Sequence, residues 1–248
     1  MAILTGAFLI VAVLLTSTLS GVFGMVGGMV LLWLLLLVMP VTTAIAVQGI
    51  LQLVANCSRA YFSRAWMDWT IIAYSSSGLV LAILLLALVS YTPDVAVVSI
   101  CVGLLPVAVW MPVRRLRLDA SRPLHAVACG FVSGGLNIGV GIAGPVVDIF
   151  FVRTEMDRRK VIATKAALQV LSHIAKIVFY SSSLILLSRS ETISIGLAAP
   201  FAVLGSIIGH RILARLSNEG FRRGTRWLVT LVGGFYFAQG MYLVFSAW

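Results

Sequence analysis

The feature that most constrains this chain is the recurrence of apolar stretches about 20 residues long without a charge, the length needed to cross about 30 Å of hydrocarbon. They run, approximately, over Ile3–Met39, Val41–Phe62, Trp69–Val89, Val95–Met111, Leu124–Phe151, Val161–Leu187, Ile193–Ala214 and Leu228–Phe245. None has the strict alternation of a membrane β-strand. Only 10% of the 248 residues are charged, against about a quarter in soluble domains. Too few polar groups exist to coat a water-facing surface, so the expected class is an all-α membrane protein in a lipid bilayer.

The net charge of +10 would suggest nucleic acid in a soluble protein. Here the arginines sit in short loops, so retention of positive charge on the cytoplasmic side of a bacterial inner membrane explains it, and no nucleic-acid partner is expected. The N-terminal apolar run lacks a preceding basic region, so no cleavable signal is expected. Cys57, Cys101 and Cys129 show no metal-ligand spacing and read as small packing residues.

Basic residues cluster at Arg59/Arg64, at Arg114/Arg115/Arg117/Arg122, at Arg153/Arg158/Arg159/Lys160 and at Arg211/Arg215/Arg222/Arg223/Arg226. Tyr91–Asp94 and both termini carry none, and Ser188–Glu191 carries only Arg189. Placing the four clusters inside puts both termini outside. Leu124–Phe151 must then enter and leave on the inner face, and Ile3–Met39 on the outer face. Both are interrupted by glycines, which break helices through backbone freedom. The expected architecture is an inverted repeat of residues 1–118 and 119–248. Each half is a glycine-tipped re-entrant or hairpin segment (3–39; 124–151) plus three transmembrane helices (41–62, 69–89, 95–111; 161–187, 193–214, 228–245), a common plan of secondary transporters. Ser20-Gly21 and Ser133-Gly134 begin the two tips. The repeat is also visible in polar residues: Gln52 and Gln169 are 169 − 52 = 117 positions apart, and the same offset pairs Gln48 with Lys165, Asn56 with His173 and Arg59 with Lys176.

Those residues form stripes. Gln48, Gln52, Asn56, Arg59 and Ser63 share one helical face, as do Lys165, Gln169, His173, Lys176 and Tyr180. Ionisable groups inside a span cost about 2.5–3.5 kcal/mol on insertion scales and usually face a cavity. Lys165 and Arg59 also have a second reading, snorkelling from nearby helix ends, and His173 a second reading as a packed, hydrogen-bonded residue. Lys176 lies deeper. At the tips, the restarting half-helices would aim N–H groups and positive dipole ends inward, with Pro145 as a first-turn residue, and so attract an anion. Gly24, Gly27 and Gly28, and Gly139, Gly141 and Gly144, would let backbone approach it, and Asn137 would add donors. The same glycines also fit close packing: Gly24/Gly28, Gly130/Gly134 and Gly205/Gly209 are GxxxG pairs. Gly139 to Gly144 spells GxGxxG but follows no strand, so it is not a dinucleotide loop. Asp148 is expected to pair with a basic neighbour, with a proton carrier as its second reading.

Ser20-Gly21-x-x-Gly24-x-x-Gly27-Gly28, the second glycine-rich tip from Gly130 to Gly144, and Ala163-Thr164-Lys165 together resemble the TauE/SafE family of sulfite exporters, also called the toluene sulfonate uptake permease family. The resemblance covers essentially the whole chain. It implies transport of sulfur-containing anions such as sulfite or organosulfonates, whereas the residues alone give a small anion. Ile142 and Ala143 occupy the stretch where the family usually runs Gly-x-Gly-Gly-Gly. The expectation is a secondary transporter working by alternating access, with its site at the midplane between the tips. No cofactor or metal is expected, and without an ATP-binding loop the membrane potential, protons or another coupling ion must drive it. The rivals are an anion channel and an intramembrane enzyme using Ser133 and His173; the latter lacks nucleophile-elbow spacing.

Overall fold

The computed structural model describes residues 2–24, 26–110, 118–152 and 154–246. Among them the chain forms eleven α-helices and no strand. The first five are α1 (Ala2–Phe23), α2 (Val26–Leu36), α3 (Val41–Ser63), α4 (Trp69–Leu88) and α5 (Val95–Trp110). The others are α6 (Pro123–Gly139), α7 (Gly144–Phe151), α8 (Arg158–Phe179), α9 (Ser181–Ile185), α10 (Arg189–Leu213) and α11 (Asn218–Ser246). Six of them, α1, α3, α4, α8, α10 and α11, are long and apolar enough to cross a membrane. Their outer faces stay apolar: Leu88 and Ile185 are each 83% exposed and Phe62 is 82% exposed. Water would not tolerate so extensive an apolar surface.

Both glycine-rich segments divide into a long helix and a short one. Gly24 (φ +69°) ends the turn after α1, and Gly141 (φ +85°) sits between α6 and α7. Both occupy the left-handed region that side chains disfavour. With 11 and 8 residues, α2 and α7 reach about 16 and 12 Å, too short to span hydrocarbon. The Ala120 N–H donates to the Phe150 carbonyl at 2.8 Å, so the chain returns after α7 to where it began before α6. Two sequence boundaries shift. The segment read as 161–187 divides at Tyr180, between α8 and α9. The last helix starts at Asn218 rather than 228, because charged residues extend a helix into water as readily as apolar ones extend it in lipid. The end of the span read as 95–111 and the basic residues Arg114, Arg115, Arg117 and Arg153 lie outside the described residues.

Several local features recur at the offset read from the polar stripes. Gly24 and Gly141 are 141 − 24 = 117 apart, and the starts of α3 and α8 are 158 − 41 = 117 apart. Thr16 Oγ1 donates back to the Ala12 carbonyl, and Ser133 Oγ, 117 positions on, donates back to that of Cys129. At that offset Ser20 falls opposite Asn137, whereas Ser20 and Ser133 are 133 − 20 = 113 apart. Contacts also recur in pairs: α1 with α10 and α6 with α4, α1 with α2 and α6 with α7, α3 with α10 and α8 with α4, α2 with α11 and α7 with α5.

Small residues make the long-helix contacts. A Cβ on Gly21 would lie 2.8 Å from Gly209 Cα, and one on Gly205 would lie 2.5 Å from the Leu14 carbonyl oxygen. A Cβ on Gly130 would run into the Ser75 carbonyl oxygen. Lipid gives helices no hydrophobic reason to associate, so backbone approach over small residues takes that role. Of the three GxxxG pairs, Gly130/Gly134 and Gly205/Gly209 serve packing, whereas Gly24 makes a turn and Gly28 faces the Gln48 and Gln52 side chains. Gly130→Ala should lower the thermal midpoint of the detergent-purified protein by an amount matching about 1–3 kcal/mol of overpacking. Gly196→Ala, with nothing within 4 Å of the new methyl, should leave it unchanged or raise it. Equal effects at the two positions would refute the glycine-packed α4–α6 contact.

Candidate functional site

A helix that stops inside a protein leaves its last carbonyls without intrahelical donors. Three side chains answer carbonyls at and just beyond the end of α6. Tyr180 Oη donates to the Ile138 carbonyl at 2.8 Å, Tyr91 Oη to that of Gly139 at 2.9 Å, and Lys176 Nζ to that of Gly141 at 3.0 Å. Lys176 is the centre of the arrangement. Its ammonium also donates to Gln48 Oε1 at 2.5 Å and Asn137 Oδ1 at 3.1 Å, so all three hydrogens are committed. Asn137 Nδ2 donates to Ser172 Oγ at 2.6 Å, and Gln48 Nε2 donates to the Gly28 carbonyl at 3.4 Å. One side chain thus ties together α3, α6, the α6–α7 break and α8, with α2 joined through Gln48.

Local sequence makes this possible. Gly49 leaves room on α3 for the lysine stem: a Cβ there would lie 3.0 Å from Lys176 Cε. Gly141 supplies the left-handed turn, and a Cβ there would meet Leu32 at 2.8 Å. Pro145 sits in the first turn of α7, where a missing N–H costs nothing.

Lys176 is 0% exposed, and its partners are neutral. The described ion pairs join Arg122 to Asp119, Lys160 to Asp68 and Lys165 to Asp148; Lys176 is in none of them. Carbonyl dipoles and the negative end of α6 favour a cation here, but no countercharge neutralises it among the described residues. A buried ammonium in this setting gains from any anion that replaces one of its amide partners.

The structure divides the residues singled out by sequence. Lys176, Asn137, Gln48, Gly28 and Gly141 come together. Gln52 points at the same glycine: a Cβ on Gly28 would lie 2.8 Å from Gln52 Nε2. His173, one turn before Lys176, is 7% exposed and its Nδ1 has no partner. Asn56 donates to the Gln52 carbonyl and accepts from Arg59 Nη1 at 3.4 Å. Gln169 is half-buried. Lys165 is held elsewhere, against Asp148 on α7, which gives Asp148 the basic partner expected for it. Gly27 lets α2 cross α1 beside Thr16 and Ser20, Gly139 packs on Tyr91, and Gly144 is buried at the start of α7. Ser133 Oγ bonds back to its own helix while His173 Nδ1 is unpartnered, so no serine–histidine pair forms. Sequence reasoning missed Gly49, Ser172 and Tyr91. A glycine within the polar stripe was the available signal for the first; nothing local marks the other two.

The family model described as Sulfite exporter TauE/SafE matches residues 9–236, which include both helix breaks and both stripes. The chain belongs to the TauE/SafE family. It is accordingly a multi-pass membrane transporter and not an enzyme. No curated protein and no solved structure matches it. The Ala163-Thr164-Lys165 run that carried part of the TauE/SafE resemblance forms a joint. Ala163 is fully buried, Thr164 Oγ1 accepts from the Asp68 N–H at 3.0 Å, and Lys165 pairs with Asp148. The two lysines of α8 should therefore separate in thermal unfolding. Lys165→Ala removes a half-exposed ion pair and should cost no more than about 1 kcal/mol. Lys176→Ala strands three buried oxygens and should cost about 3 kcal/mol or more. The reverse order would disprove the assignment.

Proposed function

We propose that this protein is a secondary transporter of a small sulfur-containing anion, of the sulfite or sulfonate class, and that Lys176 is the cation that binds it. The observation that carries this reading is a fully buried ammonium surrounded by neutral oxygens at a helix break. Family membership supports the substrate class. The anion displaces the amide oxygens of Gln48 and Asn137 from Nζ, and the amides then turn their N–H₂ groups toward it, so one rotation converts two competing acceptors into two donors. Amides serve this exchange better than carboxylates, which would hold the ammonium too tightly to release.

The two halves form an inverted repeat in a bacterial inner membrane, with re-entrant segments at α1–α2 and α6–α7, both termini outside, and alternating access driven by protons or another ion. The 117-residue recurrences, the paired contacts and the return of the chain from Phe150 to Ala120 support this reading. In proteoliposomes, sulfite uptake should saturate and be accelerated by sulfite trapped inside. Lys176→Gln keeps an N–H for the Gly141 carbonyl but removes the charge, and it should reduce uptake by at least about tenfold, the weight of a charge-assisted hydrogen bond. Uptake that neither saturates nor responds to trapped sulfite would assign a channel instead; wild-type rates in Lys176→Gln would remove Lys176 from the site.

Topology is tested separately, on a background with Cys57, Cys101 and Cys129 replaced by serine. In intact cells, an impermeant thiol reagent should label Thr92→Cys and spare Arg223→Cys until the membrane is opened. The opposite pattern would reverse the orientation, and labelling of both from outside would break the inverted repeat.

A further inference from the structure

Lys176 has a counterpart whose donors are not used up. Arg59 lies 176 − 59 = 117 positions earlier, the offset that also relates the two left-handed glycines. Its guanidinium has five N–H donors, yet among the described residues its side-chain hydrogen bond is the single long one to Asn56 Oδ1 at 3.4 Å. It is half-buried and takes part in none of the described ion pairs.

The helix crossing relates the two cations in space. Gly49 of α3 meets Lys176 and Ile177 of α8, and Gln48 bonds to Lys176. Further along, Asp68, beyond the end of α3, meets Thr164 near the start of α8. The two helices are therefore antiparallel. Three residues on from Gly49, Gln52 stands level with His173, three back from Lys176. Seven residues on, Asn56 stands level with Gln169, seven back. Arg59 is eleven residues from Gln48, about 16 Å along α3. The two cations thus stand at opposite ends of a seam whose middle is Gln52, Asn56, Gln169 and His173. Within that seam His173 Nδ1 is buried with no partner, an unmet polar group where a passing ligand or water would be bound.

We infer that Arg59 forms a second anion station, and that substrate passes between it and Lys176 along this seam. The inference rests on the proposed anion site at Lys176. The ligand class is an oxyanion with a planar pair of oxygens, because a guanidinium fork matches two such oxygens at once. The stations differ in kind: Lys176 must give up an amide partner to bind, whereas Arg59 has donors unused among the described residues.

Equilibrium binding of radiolabelled sulfite to the purified full chain tests this. Wild-type protein should bind two sulfites per chain. Arg59→Gln should bind one, with a Kd within about threefold of one wild-type site, while uptake falls at least tenfold. Lys176→Gln should bind one as well, and the double variant none. A merely structural role for Arg59 would lower the yield or midpoint of the folded protein without changing the stoichiometry from two. One sulfite per wild-type chain, or two retained in Arg59→Gln, overturns the second station. Two sites retained in Lys176→Gln overturns the reading of Lys176 instead, so the two failures are distinguishable. No saturable sulfite binding by wild-type protein overturns both.

Discussion

A backbone that stops being helical inside an apolar protein must find donors for the carbonyls it exposes, because no water is there to supply them. At and just beyond the end of α6 these donors come from distant parts of the chain: Tyr91 after α4, Lys176 on α8 and Tyr180 directly after it. Meeting that demand fixes the position of α8 against α6. Through Gln48 and Gly49 it also fixes α8 against α3. Two side chains also reach carbonyls in the first turns of α2: Tyr236 Oη that of Met29 and Gln48 Nε2 that of Gly28. Among the described residues, the ammonium of Lys176 serves the α6–α7 break.

That charge explains the choice of neighbours. A carboxylate beside Lys176 would satisfy it fully and leave nothing for a substrate. Apolar neighbours would leave it unsolvated. Two amides and a peptide carbonyl lie between these extremes, since they solvate the ammonium without neutralising it. The sequence points to N–H groups of restarting helices at the tips; the described bonds of Lys176 run to Gln48 on α3, to Asn137 near the C-terminal end of α6 and to the Gly141 carbonyl just beyond it. A cation there is stabilised by the dipole and in turn presents positive charge to a ligand.

Much of this was legible before the structure. Span length comes from a pattern that lipid imposes on any helical chain, so it survives without tertiary knowledge. Lys176, Gln48 and Asn137 were legible as polar residues in places where burial is costly. What could not be read is which of the two lysines on α8 would keep a carboxylate. Lys165 and Lys176 lie in one stripe, and only the folded position of α7 brings Asp148 to the first and not the second. The places of the turns were hidden for a related reason. Serine-glycine occurs at Ser20-Gly21 and at Ser133-Gly134, but the left-handed turns fall at Gly24 and Gly141, and a turn's φ is not written in residue identity when glycines are so common.

The packing also limits how such a molecule can move. Rocking one half as a body against the other needs a slippery boundary between them. Here the boundary holds the tightest contacts: α1 on α10, α4 on α6 and α5 on α11 each join a helix of the first half to one of the second. Glycines bring their backbones together at Gly21/Gly209, Gly130/Ser75 and Gly240/Ile100. Sliding any of these by a fraction of a turn would drive carbonyls and side chains into one another, and close-packed contacts of this kind do not deform smoothly. The short helices α2 and α7 are held otherwise. Each is one arm of a turn built on a left-handed glycine, and the α6–α7 turn is fastened by side-chain donors, one of them the ammonium to which the substrate would bind. Replacing an amide oxygen on Lys176 by an anion alters the bonds that hold this break in place and leaves the glycine interfaces untouched. On packing grounds a change between open states would therefore fall at the breaks and the α3–α8 seam, where, on the proposed reading of Lys176, ligand binding and helix fastening use the same donor.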